Sequence, residues 1–259
     1  MRSDSWHFNK DVKRYVATAS MVGFCYFGFV TVLLNLFLLR LGYGTSYIGF
    51  VNGTTAIAFA VSSIPSGALG SRMGMKRVSL MGVFLLAIGV FLVPFIGIII
   101  APGSTRDVAI IISRLVSGVG FSFYIVNAHP YVVAATTAKN RTNAFALLSG
   151  LPPVTGFIGS LLAGFLPTLL AEIFKLDSQD PFPIALVLIF AGIFLLPTIW
   201  IVKGVNEIEP AQDKETSQQS QSSIPELNLT RKSFIIVLFF LCITAMFRNG
   251  GESVVRTFF

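Results

Sequence analysis

Residues 15–39 read YVATASMVGFCYFGFVTVLLNLFLL, an unbroken run from Tyr15 to Leu39 without a charged side chain. A helix rises 1.5 Å per residue, so a run of this length crosses the roughly 30 Å hydrocarbon core of a bilayer. Val78–Ala101 is a second uncharged block, and Phe234–Phe247 is a shorter third. The 259-residue chain as a whole is 54% hydrophobic and only 12% charged. Soluble domains carry about 25% charged residues, with their apolar positions in stripes rather than blocks. The blocks therefore exclude an ordinary soluble enzyme, a disordered chain and a disulfide-stapled secreted scaffold. A polytopic, all-α membrane protein remains.

Seven spans can be drawn: Tyr15–Leu39, Tyr47–Leu69, Val78–Ala101, Val108–Ala135, Ala144–Leu170, Pro183–Val202 and Ser233–Phe259. The first is too long for a signal peptide and lacks a small-residue cleavage site, so it is expected to stay as an anchor. Thirteen of the 19 lysines and arginines fall before the first span or between spans 2–3, 4–5 and 6–7. The opposite loops hold Arg40, Arg106 and Lys175. The positive-inside rule then predicts a cytoplasmic N-terminus in a multi-pass protein of the plasma or inner membrane. The same asymmetry accounts for the net charge of +7, and no nucleic-acid partner is implied. Cys25 and Cys242 lie in apolar blocks, where a thiol acts as a small buried hydrophobe. His7 and His129 have no partner at metal-ligand spacing. Neither a metal site, a cofactor motif nor a soluble-enzyme motif is present, and the chain reads as a non-enzyme.

The stretch 203–232 contains QDKETSQQSQSS at Gln212–Ser223, too polar to fold alone. It predicts a cytoplasmic linker between a six-helix domain at 1–202 and a seventh helix at 233–259. A phosphorylated or partner-binding tail has the same composition. On that seventh segment Arg248, Glu252 and Arg256 recur at steps of four, which puts them on one helical face. They either line a polar cavity or, given the turn signal Asn249-Gly250-Gly251, lie in an external loop.

After the second span comes Gly67-Ala-Leu-Gly-Ser-Arg-Met-Gly-Met-Lys-Arg77. It resembles G-x-L-x-D-R-x-G-R-[RK], the signature between helices 2 and 3 of the major facilitator superfamily. Gly67, Leu69, Arg72, Gly74 and Lys76 or Arg77 match in order. The resemblance implies a turn that docks on the opposite half of the carrier and latches one conformation. Ser71 stands at the usual aspartate, so any such latch lacks a charge-assisted hydrogen bond at that position.

The fourth span carries Arg114-Leu-Val-Ser-Gly118-Val-Gly120, similar to the family's R-x-x-x-G-x-G. Six residues past Val108, Arg114 sits roughly 9 Å into the span, where an unpaired charge is expensive. It either faces a cavity for substrate or proton coupling, or snorkels to the interface. Gly118 and Gly120 suit helix packing. The fifth span contains Pro152, Pro153, Gly156 and Gly159, a loose likeness of the family's antiporter motif in which Pro152 and Phe157 replace glycines. It predicts a bent helix with close crossings, without implying antiport.

The resemblance covers the chain as the first seven of twelve helices: a six-helix bundle of two inverted three-helix repeats, plus the first helix of a second half. It implies a secondary transporter that moves a small solute by alternating access. The expected partners are lipid, that solute, a coupling proton or ion, and a missing C-terminal half, with the chain as given a truncated form. Tyr26, Asn35, Arg114, Tyr124 and Asn127 are the substrate-path candidates, joined by the charges of the seventh segment. For Asn35 a helix–helix hydrogen bond competes with that role. A seven-helix receptor and an inactive regulatory truncation are the alternatives. The charge bias opposes the receptor.

Overall fold

A computed structural model describes residues 8–177 and 179–207. The expected span Ser233–Phe259, with Arg248, Glu252 and Arg256, and nearly all of the segment 203–232 lie outside the described residues. Six helices are long and apolar enough to cross a membrane: α1 (Lys10–Arg40), α2 (Thr45–Met73), α3 (Met75–Ile99), α4 (Ser104–Ala134), α5 (Ala138–Phe174) and α6 (Phe182–Lys203). No strand occurs among the described residues. Each of the first six expected spans has its helix, but the helices run longer, most visibly where Ala144–Leu170 becomes Ala138–Phe174. Hydropathy marks only the lipid-facing part of a helix, and the polar end turns carry the same backbone bonds.

Two glycines set the tight connections. Gly42 (φ +88°) ends α1, and Gly74 (φ +95°) alone separates α2 from α3. Both adopt backbone conformations that a Cβ disfavours. Successive helices alternate in direction, which brings the first and last together at both ends. Asn206 Nδ2 donates to Asp11 Oδ2 at 2.9 Å, and Arg40 Nη1 donates to the Asp180 carbonyl at 3.2 Å.

Lipid tails are as apolar as leucine, so helices in a bilayer associate through close packing rather than through the hydrophobic effect. Small residues supply that closeness here. A Cβ on Gly120 of α4 would stand 2.8 Å from the Gly82 carbonyl oxygen of α3, and one on Gly82 would stand 2.8 Å from the Gly120 oxygen. One turn-pair along, a Cβ on Gly89 would lie 2.7 Å from the Ser113 oxygen. Gly118 packs on α2, where a Cβ would lie 2.5 Å from the Thr55 oxygen. Gly28 of α1 meets Gly159 of α5, with a Cβ 2.7 Å from its Cα.

The dominant contacts join α3 to α4, α2 to α4, α1 to α5 and α3 to α6. Mapping α1–α3 onto α4–α6 converts the α1–α5 crossing into the α4–α2 crossing and returns the α3–α6 contact to itself. The two triplets start from opposite ends of the bundle. That is the arrangement of two inverted three-helix repeats.

The winding of α1 is not uniform. Gly23–Val30 forms a π-helical segment, flanked by ordinary α-helix on both sides. It lies against the prolines of α5: a Cβ on Gly23 would reach the Pro152 Cα at 2.5 Å, and Thr155 Oγ1 donates to the Ser20 carbonyl at 2.8 Å. α5 is helical through Pro152, Pro153 and Pro167, and the helix it crosses there departs from α winding over Gly23–Val30.

Candidate functional site

Arg114 and Phe121 are seven residues apart on α4, nearly two full turns, and so share a face. Arg114 is 4% exposed, and its Nε and Nη1 have no hydrogen-bond partner. Arg114 takes part in neither the Arg14–Asp11 nor the Arg77–Glu207 ion pair. Its guanidinium carbon lies 6.0 Å from the centre of the Tyr26 ring. Tyr26 comes from the π segment of α1 and stacks on Phe121 at 5.2 Å and 15°. Phe59 of α2 and Phe27 of α1 flank Phe121 at 5.5 and 5.8 Å. Three helices thus bring four rings and one unpaired cation together. The guanidinium is buried within the bundle.

The turn after α2 is built differently from its signature. Ser71 is exposed and its Oγ donates to the Ala68 carbonyl at 2.9 Å, closing the end of its own helix. Arg72 is also exposed, and Lys76 half-buried. The negative charge absent at position 71 arrives from the far end of α6. Glu207 Oε2 lies 3.5 Å from Arg77 Nε, and the same carboxylate fills the space beside Gly74. Nothing in the sequence distinguished Glu207 except its place as an acidic residue just past the sixth span. Gly74→Ala should cost about 1–3 kcal/mol through its positive φ, read as lower thermal stability in detergent. An unchanged melting temperature would show that the turn relaxes freely.

The profile of the Major Facilitator Superfamily matches residues 14–255. This chain belongs to the Major Facilitator Superfamily. No curated protein matches it at a significant level. It is a multi-pass membrane protein of a transporter family.

Two other candidate residues of this facilitator, Asn127 and Asn35, tie helices to one another. Asn127 Nδ2 donates to Ser66 Oγ at 3.0 Å and to the Phe123 carbonyl at 2.9 Å, tying α4 to α2. Asn35 Oδ1 accepts from Asn52 Nδ2 at 2.9 Å, tying α1 to α2. Tyr124 is 1% exposed, and its hydroxyl has no partner. Among the described residues, Arg114 meets rings and no counter-ion.

At the end of the bundle opposite the N-terminus lies a polar clasp that no motif announced. Arg106 is 6% exposed, and its Nε donates to the Tyr43 hydroxyl at 2.8 Å. That hydroxyl donates to Asp107 Oδ1 at 2.6 Å, and Tyr47 donates to the Asp107 carbonyl at 2.9 Å. The two tyrosine rings stack at 4.3 Å. The pairs Tyr43/Tyr47 and Arg106/Asp107 lie at the first and third connections, which fall on the same side of an alternating bundle, the one signal that could have joined them. Burial pushes the Tyr43 phenol above its ordinary value, with Asp107 raising it further and Arg106 opposing. A phenol whose folded value is raised leaves stability intact below about pH 10 and withdraws it as pH climbs towards the folded value. The melting temperature should therefore fall above about pH 10, and Tyr43→Phe should flatten part of that fall. An identical alkaline limb in the variant would remove Tyr43 from the titration.

Proposed function

We propose that this facilitator is a secondary carrier that moves a small solute by alternating access, with Arg114, Tyr26, Phe59 and Phe121 at its solute site. The observation that carries the reading is the unpartnered Arg114 guanidinium inside a bilayer-spanning bundle. A charge at the bilayer centre costs about 2.5–3.5 kcal/mol on insertion scales, a cost that function can justify and packing does not. Tyr124, ten residues and nearly three turns beyond Arg114 on the same helix, belongs to the wall of the path. Asn35 and Asn127 are helix ties in this conformation that can exchange partners in another. A proton or ion would supply the driving gradient.

The orientation in this proposal puts the N-terminus, the Gly67–Arg77 turn and Glu207 in the cytoplasm of a cell with a plasma or inner membrane. The stretch 203–232 then joins the domain at 1–202 to a seventh helix at 233–259, whose Arg248, Glu252 and Arg256 face the path. Protease added to inside-out vesicles is expected to cut first between Lys203 and Lys232. Protection there would reverse the orientation.

The direct test is solute uptake into proteoliposomes containing the purified protein, under imposed proton and sodium gradients. Uptake of at least one solute by the wild type, lost in Arg114→Gln, supports the reading. A wild type that moves no solute under any gradient overturns it.

A further inference from the structure

The carrier reading leaves the solute open, but the residues around Arg114 restrict its chemistry. A guanidinium is a planar fork of donors that matches a carboxylate with two parallel hydrogen bonds. Two of its nitrogens are unpartnered, and the residue is 96% buried by complement of its 4% exposure. Among the described residues no carboxylate pairs with it. The neighbouring surface is not the usual aliphatic lining of a helix bundle. Tyr26 lies against both the guanidinium and the Phe121 ring, at 6.0 and 5.2 Å. Tyr26, Phe59 and Phe121 are each half-buried, so part of each ring is presented rather than packed away.

We infer that Arg114, Tyr26, Phe59 and Phe121 form a subsite for a planar aromatic monocarboxylate. The carboxylate lies on the Arg114 guanidinium, and the ring of the solute joins the Tyr26–Phe121 stack. Offset stacking favours a flat π-system over a saturated ring of the same area. The cation disfavours amines. This inference rests on the carrier reading for its use of the word solute, but binding itself does not depend on transport.

The probes are benzoate, phenylacetate and 1-naphthoate, set against cyclohexanecarboxylate, which lacks the π face, and benzamide, which lacks the charge. Binding to the purified full chain in detergent is followed by ligand-dependent thermal shift and calorimetry. At least one aromatic acid should bind tenfold or more tightly than both controls. Arg114→Gln should weaken it at least tenfold, and Phe121→Leu should erase the preference over cyclohexanecarboxylate. If either variant fails to fold, the wild-type contrasts alone decide. Equal binding of benzoate and benzamide, equal binding of benzoate and cyclohexanecarboxylate, or no binding by any aromatic acid overturns the inference.

Uptake of some other solute, with no aromatic acid bound, would leave the carrier standing and remove this subsite. Tight aromatic-acid binding with no solute moved would do the reverse.

Discussion

Gly120→Val is expected to leave almost no correctly folded protein. At this crossing the atoms facing the new side chain are backbone: the Gly82 oxygen at 2.8 Å, and the Leu86 nitrogen closer still. Backbone cannot rotate away as a side chain does. Either α3 and α4 separate, losing contact along the most extensive helix pair in the bundle, or the helix distorts. Overpacking costs about 1–3 kcal/mol where side chains can yield, and this site offers none that can. The expected loss is therefore at least about 3 kcal/mol by that scale. The control is Gly164→Ala on α5, where a new Cβ meets nothing within 4 Å. Helix propensity then favours the alanine by up to about 1 kcal/mol. Detergent-solubilised yield and melting temperature read both. A Gly120→Val protein as stable as the wild type would mean that the two helices do not cross this closely.

Arg114→Met is expected to raise stability and abolish transport together. The substitution removes a buried cation that has no counter-ion among the described residues and replaces it with an apolar chain of similar reach. Substituting apolar groups for buried charge is often neutral or stabilising, and insertion costs put the scale near 2–3 kcal/mol. A structural arginine would show the opposite sign, because its removal would strand the groups it satisfied. A lower melting temperature in Arg114→Met would assign the residue to architecture. A higher one, with uptake lost, assigns the cost of the charge to function.

The architecture was legible because bilayers impose a coarse constraint. Uncharged runs such as Val78–Ala101 announce a helix by length alone, and the register of Gly67–Arg77 and Arg114–Gly120 ordered the helices. Gly118 and Gly120, expected to suit helix packing, lie at crossings where an added Cβ would meet backbone. What stayed hidden depends on which faces meet. Asn127 and Arg114 looked alike as polar residues on one helix, yet one finds Ser66 and the other finds rings. Tyr26 joined Phe121 and Phe59 from three separate helices, a meeting that no spacing encodes. Glu207, Arg106 and Tyr43 sit at helix ends, where hydropathy is silent and the partners lie far apart in the chain. The π winding of α1 over Gly23–Val30 was equally hidden, since nothing in that run of residues marks a departure from α winding.

The π segment of α1 also bears on which changes in chain length this helix tolerates. In Gly23–Val30 each hydrogen-bonded loop encloses one residue more than an α-helical loop does. Removing one residue there lets the winding revert to α while Lys10–Val22 and Thr31–Arg40 keep nearly the same phase. The same deletion within Thr31–Arg40 would rotate everything beyond it by about 100°, carrying Arg40 away from Asp180. The surplus residue is thus a built-in allowance for a deletion in the first membrane crossing, confined to eight positions.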